Sequence, residues 1–190
     1  MYIDLPEDEK WQIASYVFLK MFNEKDLSTG ESVFGPTIPQ ILQNNFRLKI
    51  PKSIQDVDYE IIKPYFESKN YDKLLEFYKT AYWDKLGYKF LPSYLAVRVF
   101  NNSVFLGAFL SHKIVNITIS RYTECLPWLV TDIFDDNTIN MLKKLCLDYS
   151  IENIGLKVRE ETQEEVKYLL KFYDDFSEHK KSWTLRNSRI

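Results

Sequence analysis

The sequence predicts an α+β fold, in which a helical N-terminal half is followed by a mainly antiparallel sheet of three to four strands. Three apolar runs between residues 94 and 121, rich in Val, Ile and Phe and separated by short polar groups, are typical of successive hairpins. A further short alternating run at 154–158 lies between two segments with helical periodicity. The second half therefore has the predicted order β-β-β-α-β-α, with helices packed on the sheet.

The three predicted strands cover residues 94–100, 104–110 and 114–121. In the first and third runs, apolar residues alternate with small or polar ones, which predicts one apolar and one mixed face. The middle run is apolar throughout, as expected of a central strand covered on both sides. The alternating apolar positions are Leu95, Val97, Val99, Val115, Ile117 and Ile119. The polar groups 101–103 and 111–113 are the predicted turns.

The part before the sheet, residues 1–86, contains strong helical signals at both ends and an irregular segment at 25–53. Asp4 is the predicted N-cap of a wide amphipathic helix that continues to about residue 24 and that packs internally or docks on another protein. A weak helix at 54–66 is interrupted by Pro64. A better helix covers 70–86, with Gly87 as its C-terminal stop.

The part after the first helices, residues 88–190, is the predicted α+β core, and the two parts are expected to form one compact domain. Asp135 and Asp136 supply caps for a helix that follows the third strand. The run 154–158 is the predicted fourth strand. Thr162 and Glu165 have the spacing of a capping box and predict the start of the last helix.

Composition excludes several classes of protein. A net charge of −2 with both signs interspersed gives no field that would attract nucleic acid or a membrane surface to the whole chain. The acidic N-terminal residues and the lack of a long apolar run predict no export signal and no membrane span, hence a soluble intracellular protein. In that setting Cys125 and Cys146 are expected to be buried free thiols, although a disulfide between them is the alternative.

Few residues have the spacing that catalysis or cofactor binding requires. The five glycines include neither a phosphate-binding loop nor a dinucleotide fingerprint, so no cofactor is expected. His112, placed in a turn, could activate Cys125 only if both reached one rim of the sheet. Asp132, Asp135 and Asp136 could form a carboxylate site, but helix capping is the simpler explanation.

The candidate binding residues are aromatic or basic. Tyr71, Tyr78 and Tyr82 share one helical stripe, which is either a contact surface or a core face with its hydroxyl groups at the rim. Phe34 belongs to the irregular segment, which is expected to cover the surface or to contact a partner. The basic C-terminal tail could dock into an acidic groove or bind nucleic acid. Its candidate residues are Lys180, Lys181, Trp183, Arg186 and Arg189.

The first functional hypothesis is therefore a non-catalytic interaction subunit or adaptor of a larger intracellular assembly, with other protein subunits as partners. The alternatives are a small carboxylate- or cysteine-dependent enzyme and a nucleic-acid-associated factor that uses the C-terminal tail.

Overall fold

The computed structural model describes residues 4–23, 64–65, 68–123 and 134–172. Within these ranges the regular structure is helical, and no residue there lies in a strand. The α-helices are α1 (Glu7–Asn23), α2 (Tyr71–Tyr78), α3 (Ser93–Leu106), α4 (Ala108–Thr123), α5 (Asp136–Tyr149) and α6 (Ile151–Phe172). A π-helical turn at Lys79–Asp84 continues α2, and a 3₁₀ turn at Tyr88–Phe90 precedes α3.

The predicted antiparallel sheet is wrong, and with it the α+β fold class, because residues 94–121 form α3 and α4. α3 packs against α1, α4 and α6 and is the central helix of the described part. It is buried on several sides, for example at Leu95, Ala96, Val99 and Phe100. A helix enclosed in this way lacks the polar face that marks an amphipathic helix. Tertiary burial thus outweighed the strand preference of its Val-rich sequence.

The predicted hairpin turns lie inside helices, and the break between them occurs elsewhere. Asn101, Asn102 and Ser103 are buried within α3, and Ser111 and His112 are buried within α4. The chain changes direction at Gly107, where φ is 87° and ψ is 150°. Glycine adopts a positive φ without the steric cost of a Cβ atom, so this residue allows α4 to begin directly after α3.

The predicted fourth strand is also wrong, since residues 154–158 lie within α6. This helix starts after Ser150, whose hydroxyl accepts the Asn153 backbone N–H at 3.3 Å. The predicted capping box at Thr162 therefore falls in the interior of α6. There the Thr162 hydroxyl donates to the Val158 carbonyl at 2.7 Å, which is a bond that a helix interior permits.

Several predicted elements are confirmed. α5 starts at Asp136, and the Asp135 side chain accepts the Thr138 N–H as an N-cap. The helical stretch after Asn70 is present, and Gly87 ends it with a φ of 72°. α1 is present as well, but Asp4 serves a different element: its carboxylate accepts the Ser93 N–H at the start of α3, at 3.0 Å.

The core joins the N-terminal helix to the central ones through aromatic rings. Trp11 and Phe18 of α1 contact Phe100 of α3 at centroid distances of 5.5 and 6.2 Å, and Trp83 contacts Phe100 at 5.8 Å. Buried Lys10 of α1 donates to the Leu91 carbonyl, just before α3, at 2.8 Å. The predicted irregular segment at 25–53 lies outside the described residues, as does nearly all of the weak helix at 54–66. Among the helices described, none is long and apolar enough to cross a membrane.

Candidate functional site

The most unusual polar arrangement in the described part is a seam between α3 and α6. Gly155 of α6 faces the Tyr94 ring of α3, and two turns later the Asn102 amide donates to the Thr162 hydroxyl at 3.0 Å. Between these levels lie Arg98 on α3 and Arg159 on α6, each four residues beyond the first pair. Because residue numbers rise together on both helices, α3 and α6 are parallel along this seam.

Among the residues that the structure describes, no carboxylate pairs with the buried Arg98. Arg98 is 1% exposed, and its Nη2 atom donates to the Tyr94 hydroxyl at 2.7 Å. The guanidinium carbon also lies 5.2 Å from the centre of the Tyr94 ring, as a cation–π contact. The Nε and Nη1 atoms have no hydrogen-bond partner among the described residues. Burial lowers the pKa of Arg98, and the neighbouring charge of Arg159 lowers it further.

Gly155 allows Tyr94 to occupy its place over Arg98. A Cβ atom on Gly155 would lie 2.1 Å from Tyr94 Cε1 and 2.5 Å from Cδ1, far inside ordinary contact distance. Only a residue without a side chain therefore lets the ring approach α6 so closely. Tyr94 is 42% exposed and Arg98 only 1%, so the ring separates the guanidinium from solvent on that side.

The nearby carboxylates of α6 are engaged with other cations. Buried Glu161 accepts from Arg121 Nε at 3.0 Å and lies 3.5 Å from Lys157 Nζ. Glu165 lies 3.6 Å from Lys113 Nζ. Both carboxylates therefore pair with cations on α4 or on α6 itself, and neither pairs with Arg98.

A second polar cluster surrounds His112, which the sequence placed in an exposed turn. His112 is 1% exposed, its Nε2 lies 2.8 Å from the Tyr88 hydroxyl, and that hydroxyl lies 2.6 Å from Ser103 Oγ. Its ring also stacks on Phe134 at a centroid distance of 4.6 Å. His112 thus links α3, α4 and the 3₁₀ turn within the core. Cys125, its predicted catalytic partner, lies outside the described residues.

The remaining catalytic candidates have structural surroundings where they are described. Cys146 is a buried free thiol, and burial raises its pKa to about 12. Hydrogen bonds from the Thr138 backbone lower the pKa of Asp135, as its capping role requires. Asp136 is exposed in the first turn of α5, and Asp132 is outside the described ranges. Among the residues described, no group of three or more His, Cys, Asp or Glu side chains could hold a metal ion.

The candidate partner-binding tyrosines are mostly in the core. Tyr78 and Tyr82 are buried, with their ring centroids 5.6 Å apart, and Tyr78 lies 5.1 Å from Phe18. Tyr71 is half-buried, so it retains some accessible surface. The other candidates lie outside the described residues. They are Phe34, Lys180, Lys181, Trp183, Arg186 and Arg189.

α1 presents a small apolar surface that the described core does not cover. Ala14 and Phe18 on its inner side have no exposed area. On its outer side Ile13 is 43% and Tyr16 65% exposed, and residues three apart are neighbours on a helix surface. We name Ile13 and Tyr16 the outer α1 face.

Comparisons of the chain with protein-family models, with curated proteins and with solved structures found no match. The site must therefore be judged on its own geometry. The seam was not predicted from the sequence, because Tyr94 and Arg98 fell in a predicted strand and Asn102 in a predicted turn. Their spacing of four was the available signal, since it places all three on one side of a helix.

Proposed function

We propose that this chain is a non-catalytic interaction subunit or adaptor of a larger intracellular assembly, and that its partners are other protein subunits. The observation that carries the proposal is the outer α1 face. A helix whose inner side builds the core while Ile13 and Tyr16 remain exposed offers aromatic and aliphatic area to a partner. Tyrosine is a favourable contact residue because its ring is rigid and its hydroxyl can face water.

The surroundings of the reactive groups support the same proposal. Cys146 has a pKa of about 12, so its thiol is protonated at neutral pH and is a poor nucleophile. His112 is enclosed between Tyr88 and Phe134, and Asp135 caps α5. Each of these groups has a structural role that accounts for its presence. The enzyme hypothesis would have to rest on Cys125 or Asp132, and no observation on the described residues favours it.

The test is cross-linking and co-purification of the tagged full chain from its source cells, with quantification by mass spectrometry. The test variant combines Ile13→Ser with Tyr16→Ser. The matched control is Leu147→Ser, because Leu147 is 77% exposed on α5 and its replacement removes exposed apolar surface elsewhere. Thermal unfolding of each variant checks that the fold is kept.

We expect a partner present in stoichiometric amount with the natural chain and with the control, and depleted with the double variant. A partner that is retained equally by all three chains would support an interaction subunit but would remove the outer α1 face as its contact. A chain that remains monomeric at high concentration and brings down no stoichiometric partner would overturn the proposed function.

A further inference from the structure

We propose that Arg98, at the seam between α3 and α6, is the receptor for an oxyanion group, a carboxylate or a phosphate, on a ligand of this protein. The inference does not depend on the proposed function, since it rests on the interior of the seam and not on the outer α1 face. It follows from how Arg98 is buried, from what surrounds it and from how it can be reached.

Burial of the Arg98 charge is costly. A guanidinium stays protonated in proteins, so at 1% exposure Arg98 is a buried positive charge. Buried charges are normally paired, because removal from water is costly unless an opposite charge or hydrogen bonds replace it. The Tyr94 hydroxyl satisfies Nη2 alone, while Nε and Nη1 lack acceptors among the described residues. The unmatched donors are those that an oxyanion accepts from.

The charges near Arg98 do not neutralise it. The positive charge of Arg159 lowers the pKa of Arg98, and two acids of α6 pair with other cations, Glu161 with Arg121 and Lys157, and Glu165 with Lys113. Like charges repel, and an anion bound at Arg98 would add an attraction that offsets this repulsion. The surroundings of Arg98 therefore favour a negative group at its unmatched donors.

A ligand can approach Arg98 from the side that Tyr94 covers. The Tyr94 ring lies over the guanidinium and close to Gly155, and Tyr94 is 42% exposed. An oxyanion that enters from this side would displace the ring to reach Arg98. Tyr94 is therefore both the resting partner of Arg98 and the cover that an entering oxyanion displaces.

The test uses the full chain and two probes, inorganic phosphate and acetate, each titrated against chloride at matched ionic strength. The arginine Nε–H signals are followed by NMR, because they report on hydrogen bonding at Arg98 itself. Arg98→Met, which keeps much of the side-chain volume, is the test variant. Arg121→Met is the matched control, since Arg121 has a carboxylate partner in Glu161.

We expect saturable shifts of the Arg98 Nε–H signal with at least one probe, and at least a tenfold loss of affinity in Arg98→Met but not in Arg121→Met. A response to phosphate alone would identify a phosphate-bearing ligand, and a response to acetate alone a carboxylate-bearing one. If Arg98→Met fails to fold, the titration of the natural chain still decides. An Arg98 signal that neither probe shifts beyond the effect of chloride would overturn the inference.

Discussion

The substitution Gly155→Ala tests the contact between α6 and the Tyr94 ring. The new methyl group would lie 2.1 Å from Tyr94 Cε1, so the ring must move by roughly 1 Å or more to reach ordinary contact. That movement takes the Tyr94 hydroxyl away from Arg98 Nη2, now 2.7 Å away. Loss of a hydrogen bond to a charged group costs about 1.5–3 kcal/mol, and the weakened cation–π contact at this half-exposed ring costs about 0.5–1 kcal/mol.

The opposing effect is the helix propensity of alanine, which exceeds that of glycine by about 1 kcal/mol in a helix interior. The expected net result is a loss of about 1–3 kcal/mol in the free energy of unfolding. The same substitution in a Tyr94→Ala background meets no ring, so there only the propensity gain remains and Gly155→Ala should stabilise the chain. The sign of the effect therefore reverses between the two backgrounds.

The assay is urea unfolding of the four proteins of this double-mutant cycle, followed by far-ultraviolet circular dichroism. Stabilisation by Gly155→Ala in the natural chain, or an equal loss in both backgrounds, would refute the reasoning. Either result would mean that the Tyr94 ring does not occupy the recess above Gly155.

Three further predictions concern the other polar contacts. Tyr88→Phe removes the hydroxyl between Ser103 and His112 and should lower the free energy of unfolding by about 1–3 kcal/mol, as measured by urea unfolding. Asp135→Ala should cost about 1 kcal/mol near neutral pH. Because the folded-state pKa of Asp135 is lowered, this contribution should be present above the unfolded pKa of about 4 and be lost as the pH falls through the lower folded-state pKa, as measured by unfolding at a series of pH values. Cys146, with a pKa raised to about 12, should resist iodoacetamide in the folded chain and react after denaturation, as measured by peptide mass spectrometry.

Two elements with one side exposed, α1 and α5, were predicted well, whereas the first turns of α6, which also have an exposed side, were predicted as a strand. α1 and α5 alternate buried and exposed positions with a helical period, and Asp135 and Gly87 mark a start and an end through capping and a positive φ. These signals depend only on residues that are close in sequence, so they do not require knowledge of the tertiary contacts. The predictions therefore held where periodicity and end residues both agreed.

The prediction failed where burial is nearly complete. In α3 and α4 the apolar residues do not follow one face, and β-branched residues favoured strands on local grounds. Short polar groups that resemble turns are satisfied inside the helices instead: Ser103 and Ser111 both donate to the Val99 carbonyl, at 2.8 and 3.1 Å. The Ser103 bond lies within α3, whereas the Ser111 bond joins α4 to α3 and depends on the neighbouring helix, so no local pattern shows it. The position of Arg98 opposite Arg159 likewise depends on the register between two helices that are distant in sequence.

An engineered disulfide tests the register between α3 and α6. Asn102→Cys combined with Thr162→Cys places thiols at positions whose side chains now share a hydrogen bond of 3.0 Å. Asn102→Cys with Val166→Cys, one turn further along α6, is the matched control. If α3 and α6 are parallel with Arg98 beside Arg159, mild oxidation of the folded chain joins the first pair and not the second, as identified from cross-linked peptides by mass spectrometry. Equal cross-linking of both pairs, or cross-linking of the control alone, would contradict the arrangement.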